Sequence, residues 1–152
     1  MNPRSGALRW AVKASFMRYV RVIAAGTCEA TGGAVLGADD VITFPLLDAA
    51  QVDGGWRLDF GGEVRFAAHH GALDVTLAGL RLDLGPDAGA LSITAGDRRL
   101  TIAELAPAER DDTLRRQALP ASLTEAGIPV FGNVYPAGTD LAPFDVDVAI
   151  DS

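Results

Sequence analysis

One cysteine, Cys28, and two histidines, the adjacent pair His69-His70, are the only thiol and imidazole groups in the 152 residues. A lone thiol makes no internal disulfide and no thiolate metal cage, and reads as a small buried hydrophobe. Two neighbouring imidazoles with no cysteine partner and no His-x-His spacing do not furnish a tetrahedral zinc site. Long hydrophobic runs are also missing: Ala7 to Val12 is broken by Arg9 and Val20 to Ala25 by Arg21. Neither stretch makes a secretory leader or a bilayer-crossing helix, so if Met1 is the native start the expectation is a cytoplasmic protein. Positive charge is in short supply, with 13 Lys and Arg against 20 Asp and Glu and a formal net charge of -7. Nucleic acid is therefore not an expected partner, because neutralising phosphates needs a basic footprint over the domain. Internal repeats, low-complexity tracts and a nucleophile-elbow motif are absent from the sequence as well.

What is present suits one ordinary globular domain over residues 1–152. Apolar residues make up 49% and charged residues 22%, enough to bury a core. One local feature runs against the acidic balance. Arg4, Arg9, Lys13, Arg18 and Arg21 fall in the first twenty-one residues, which hold no acid. Such a stretch is either a solvated basic face or a patch that attracts carboxylates.

From Trp56 onward, short segments alternate apolar and polar residues with period two: Trp56 to Phe60, Glu63 to Phe66, Leu73 to Leu77, Leu80 to Leu84 and Leu91 to Thr94. Leu100 to Ala103 and Phe144 to Ile150 continue the pattern, and each segment has one face to bury. Glycine-rich turns separate them, which predicts an antiparallel sandwich or barrel, and an all-β, mainly antiparallel β-sandwich with one or two short helices is the expected fold. Val12, Phe16, Tyr19 and Val20 are spaced as on a helix, and that spacing puts Ser15 and Tyr19 one turn apart on one side. Between Leu105 and Gln117 the chain is charged and aperiodic, an expected excursion. Ser122 to Glu125 is a capping pattern for a single helical turn ended by Gly127, and Val130 to Thr139 reads as a loop with apolar and aromatic tips.

Three blocks of this sequence resemble the HtaA haem-binding domain of actinobacterial cell-surface haem-uptake proteins. The first is Leu8-Arg9-Trp10, Val12-Lys13, Ser15-Phe16 and Tyr19. The second is Val64-Arg-Phe66 running into His69-His70-Gly71-Ala-Leu73. The third is Leu123-Thr-Glu-Ala-Gly127 followed by Val134-Tyr135-Pro-Ala-Gly138-Thr139. In order and approximate spacing they cover nearly the whole chain.

The resemblance implies a β-sandwich module that binds haem b in its ferric state, with Tyr19 as the axial ligand to the iron. A phenolate is a hard anionic donor that prefers Fe(III), so it suits holding oxidised haem rather than reversible oxygen chemistry. His69, or by a shift of one residue His70, would hydrogen-bond the tyrosine oxygen, and Ser15 would bond a haem propionate. Val134 and Tyr135 would close over the macrocycle, with Phe16 beside them. Transport, uptake or transfer is then the expected role and catalysis is not. Another haem-binding protein would be donor or acceptor, and two copies facing each other across one haem would form a homodimer. The sequence departs from the family pattern at Val134, where an aromatic residue is usual, and at Ala68, where glycine is. Family members usually carry export signals and often membrane tails, which sets a secreted or cell-surface location against the cytoplasmic expectation above.

Three other readings compete. A carbohydrate-binding sandwich would use exposed Trp10, Trp56 or Tyr135 to stack on sugar rings. An enzyme would combine His69 or His70 with Ser15 and Asp74 or Asp83. A structural sandwich without ligand is the third, and the valine at position 134 favours it.

Overall fold

A computed structural model of the chain describes residues 2–20, 26–37, 40–52, 55–68, 73–85, 88–105, 115–131 and 135–151, with the side chains of 2–5, 73, 115–119 and 149–151 outside that description. Among the described residues twelve strands follow one another: β1 (Asn2–Trp10), β2 (Thr27–Thr31), β3 (Val35–Leu36), β4 (Ile42–Val52), β5 (Gly55–Phe60), β6 (Glu63–Ala68), β7 (Leu73–Ala78), β8 (Arg81–Leu84), β9 (Gly89–Ala95), β10 (Arg98–Leu105), β11 (Arg115–Leu123) and β12 (Asp140–Asp151). One short helix, α1 (Ala14–Arg18), follows β1, and a 3₁₀ turn covers Pro129–Phe131.

The all-β antiparallel class is as expected, but the sandwich is not. Nine strands pair in the order β1-β12-β11-β10-β9-β8-β5-β4-β3, and β1 also pairs with β4. The second pairing, Ala7 to Trp10 against Pro45 to Ile42, closes the eight strands from β1 round to β4 into a barrel and leaves β3 on its flank. A sandwich and a small barrel bury the same alternate residues, so only the partners of the first strand separate them. At eight strands the interior is filled by side chains. Leu8, Trp10, Phe44, Leu58, Leu82, Leu91 and Phe144 are all fully buried. Trp10 and Phe144, opposite each other in the β1–β12 register, stack with centroids 4.6 Å apart.

β2, β6 and β7 form a separate three-stranded sheet. Its buried face carries Val64, Phe66, Val75 and Leu77. On the exposed face Arg65 makes a two-pronged hydrogen bond to Asp74, both contacts at 2.9 Å, which holds the Asp74 carboxyl below its ordinary range. Such an exposed pair adds little stability, although it marks which face is wet. Gly79 (φ 60°), after β7, abuts Thr94 of β9, and Arg99 donates to the Gly79 carbonyl at 2.8 Å and to Ser92 at 3.1 Å. That joint ties the small sheet to the barrel wall.

Other sequence expectations need correction. β11 starts at Arg115, inside the stretch read as an excursion, while 106–114 lie outside the described residues. Ser122 belongs to β11, and Thr124 is the residue that organises the following turn, accepting from the Gly127 amide at 3.2 Å and donating to the Thr101 carbonyl at 2.6 Å. Trp10 is 0% exposed, which removes it from any sugar-stacking surface. Its indole donates to the Ala142 carbonyl at 2.8 Å. Trp10→Phe is expected to lower unfolding free energy by about 2 kcal/mol in a urea titration, through the orphaned carbonyl and the vacated volume.

Candidate functional site

The chain leaves the barrel at Trp10 and turns abruptly at Val12, a fully buried β-branched residue with φ 59°. That conformation is costly by about 1–3 kcal/mol and is held because Ala142 of β12 donates to the Val12 carbonyl at 2.8 Å while accepting from Trp10. The turn delivers α1 at a set position against the end of the barrel. α1 buries Phe16 and Met17 and leaves Ser15 exposed. Tyr19 caps it in αR geometry, its amide shared between the Ser15 and Phe16 carbonyls, and its side chain is half-buried against the core. Ser15 and Tyr19 therefore stand one turn apart, as the spacing predicts.

Phe16, of the first sequence block, meets the second block and the segment that joins the two halves of the third. Its ring lies edge-on to Phe66 of β6 at 5.1 Å and edge-on to Phe131 of the 3₁₀ turn at 5.3 Å. The first contact brings α1 to the strand that runs into His69, and the second brings it to the segment that runs into Val134 and Tyr135. A backbone contact repeats the first connection. Gly26 donates to the Val20 carbonyl at 2.6 Å, directly after Tyr19, and packs on Ala67 and Ala68, the last two residues before His69. A Cβ on Gly26 would run into the Ala67 carbonyl oxygen and lie 2.8 Å from the Ala68 Cβ. Gly26→Ala is therefore expected to cost about 1–3 kcal/mol and to move the end of β6 away from α1, seen as a lowered Tm and as amide shift changes centred on Val20 and Ala68.

The third connection is polar. Lys13, at the N-cap position of α1, donates to the Asp140 backbone carbonyl at 2.9 Å and holds its ammonium 5.5 Å from the centre of the Tyr135 ring. Tyr135 is half-buried and packs on the core. Ser15, Phe16, Tyr19 and Tyr135 are thus gathered at one end of the barrel. His69, His70 and Val134 lie outside the described residues, and the structure gives the positions of their neighbours Ala68 and Tyr135. Sequence reasoning missed Phe66 and Phe131 as parts of the site and took Lys13 only as one of several basic residues. The edge-on contacts of Phe16 are nonlocal, and no periodicity signals them.

A small closed β-barrel with one end built from a helix, a strand end and an aromatic turn defines the class of module. The family model for HtaA (Htaa) matches residues 5–147, and the chain belongs to the HtaA family. No curated protein matches it by sequence. Among solved structures it is similar to the N-terminal domain of HtaA from Corynebacterium glutamicum, with 20% identity, TM-score 0.82 and complete coverage of both chains (100%). The C-terminal domain of the same protein gives 23% identity, TM-score 0.83 and 99% coverage of each chain. The heme binding protein HtaB from the same organism gives 21% identity and TM-score 0.76 over 98% of this chain and 94% of that one.

Proposed function

We propose that the protein binds ferric haem b at this end of the barrel, for transport, uptake or transfer rather than catalysis. The observation that carries the reading is the convergence on Phe16: this residue of the first block meets Phe66 of the second and Phe131, which lies between the two halves of the third, in one aromatic cluster. Family membership and the likeness to the heme binding protein HtaB support it. The donor set suits the ligand. Tyr19 offers a half-buried phenol beside apolar walls, Ser15 offers an exposed hydroxyl, and Lys13 adds a cation.

In this reading Tyr19 would hold the ferric iron of haem through its phenol oxygen, a hard donor suited to Fe(III). Bound haem supplies the ferric centre; the chain positions its ligand and excludes water with Phe16, Phe66 and Phe131. Ser15 would bond a propionate, while His69, in preference to His70, would orient the Tyr19 oxygen. Val134 and Tyr135 would cover the macrocycle, and a half-buried site of this kind would release its cargo to another haem-binding protein. The homodimer stays part of the proposal: a relative, a variant of the HtaA C-terminal domain, forms a domain-swapped dimer. Titration of the purified protein with haemin, followed by visible absorbance, tests the reading. Saturation at one haem per chain with a phenolate-type ferric spectrum is the expected result, and a weak unsaturable rise would overturn it in favour of a structural barrel.

A further inference from the structure

Lys13 differs from the cations that pair with carboxylates, and from Arg99, whose neutral partners Gly79, Ser92 and Thr94 lie away from the site. Arg57 pairs with Asp83, Arg65 with Asp74 and Arg81 with Asp59. Lys13, in a chain with net charge -7, has a neutral carbonyl and an aromatic face instead, and among the described residues no carboxylate meets it. The group it touches on Asp140 is the backbone oxygen and not the side chain. An ammonium has three donors; one is used on that carbonyl, and a tyrosine face satisfies charge only in part. Both contacts lie at the wall of the proposed site, because Tyr135 belongs to the covering loop and Ser15 is two residues along the chain. The lysine stem is flexible, so exchanging the ring for an anion needs no backbone movement.

We propose that Lys13 is the specificity-determining cation of this site. It is held in reserve on Tyr135 and the Asp140 carbonyl and takes a carboxylate of the incoming ligand, so that the protein prefers a porphyrin with free acid side chains over its ester. This rests on the haem reading but concerns the periphery of the ligand rather than the iron. A charge-assisted contact of ammonium to carboxylate is stronger than the neutral contact it replaces, and about tenfold in affinity is expected from one such bond.

The test uses iron-free mesoporphyrin IX and its dimethyl ester, titrated by quenching of protein fluorescence into wild type, Lys13→Met and Lys13→Arg, with Tm recorded for each variant. Wild type should bind the diacid about tenfold more tightly than the ester. Lys13→Met should lose that preference while keeping its ester affinity, and Lys13→Arg should retain most of it. Equal weakening of both probes in Lys13→Met would mean that the residue only props up Tyr135, and no weakening of either would mean that it does not meet the ligand; each overturns the proposal. Absence of binding by wild type overturns it too. Haemin titrations of wild type and Tyr19→Ala report on the iron ligand alone. A haem reading that survives there while the diacid preference ignores Lys13, or the reverse, shows which of the two claims has failed.

Discussion

Tyr19→Phe and Tyr19→Ala should both lower the affinity for ferric haem by at least about a hundredfold, with the barrel still folded. The phenylalanine variant is the sharper of the two, since it keeps the ring that packs half-buried on the core and removes only the oxygen. Other side chains are buried more completely than Tyr19 where α1 meets the core. Phe16, Met17 and Val20 supply its buried contacts, and the helix-end hydrogen bonds of Tyr19 come from its backbone amide. The phenolate absorbance should disappear, and Tm recorded alongside separates loss of the ligand from loss of fold. His69→Ala belongs to the same experiment with a smaller expected loss, about tenfold to a hundredfold, because it acts on the ligand oxygen and not on the iron. If Tyr19→Phe bound haemin with wild-type affinity and spectrum, an axial role for this residue would be untenable.

Phe16→Ala has the second large effect, and on stability. The side chain is 2% exposed and its loss opens a void between Phe66 and Phe131, two rings that meet it edge-on from different parts of the chain. Truncation of a buried phenylalanine costs about 3–5 kcal/mol, and the edge-on geometry adds to the apolar area lost. In a domain of this size the corresponding fall in Tm is about 10–15 °C. Haem affinity should fall with it even at temperatures where the variant is folded, because Phe16 fixes α1 relative to β6 and the 3₁₀ turn. Phe16→Leu separates the two effects: it restores much of the volume, and so most of the stability, but not the aromatic contacts.

Period-two alternation is the reason β5 to β10 and the β12 segment are legible from sequence, and helical spacing does the same for the buried side of α1. β1, β4 and β11 are not legible, for a physical reason they share. Each contains a proline, Pro3, Pro45 or Pro120, which argues against a central strand, whereas in β12 the alternation runs clear of Pro143 from Phe144 onward. Pro3 and Pro120 fall where the pairing register shifts, and β4 shifts register just beyond Pro45, between Leu46 and Asp48, so the ladders yield at or beside these residues. Closure of the barrel is invisible for another reason. Pairing of Trp10 with both Phe144 and Ile42 leaves no local trace at any of the three. The candidate site was legible as residue types in order, through the resemblance, whereas its assembly around Phe16 and the role argued for Lys13 depend on contacts between distant segments.

The pairing of β1 with β12 also sets how the module responds to tension. Asn2 stands opposite Asp151 and Trp10 opposite Phe144, so β1 begins and β12 ends side by side. A pull applied through flanking segments would load this antiparallel ladder one rung at a time, beginning at Asn2 and Asp151. It would peel β1 away like a zipper instead of shearing all its hydrogen bonds together. Because β1 leads directly through Trp10 and Val12 into α1, the same peeling would reach the Tyr19 helix last, after the outer rungs had parted.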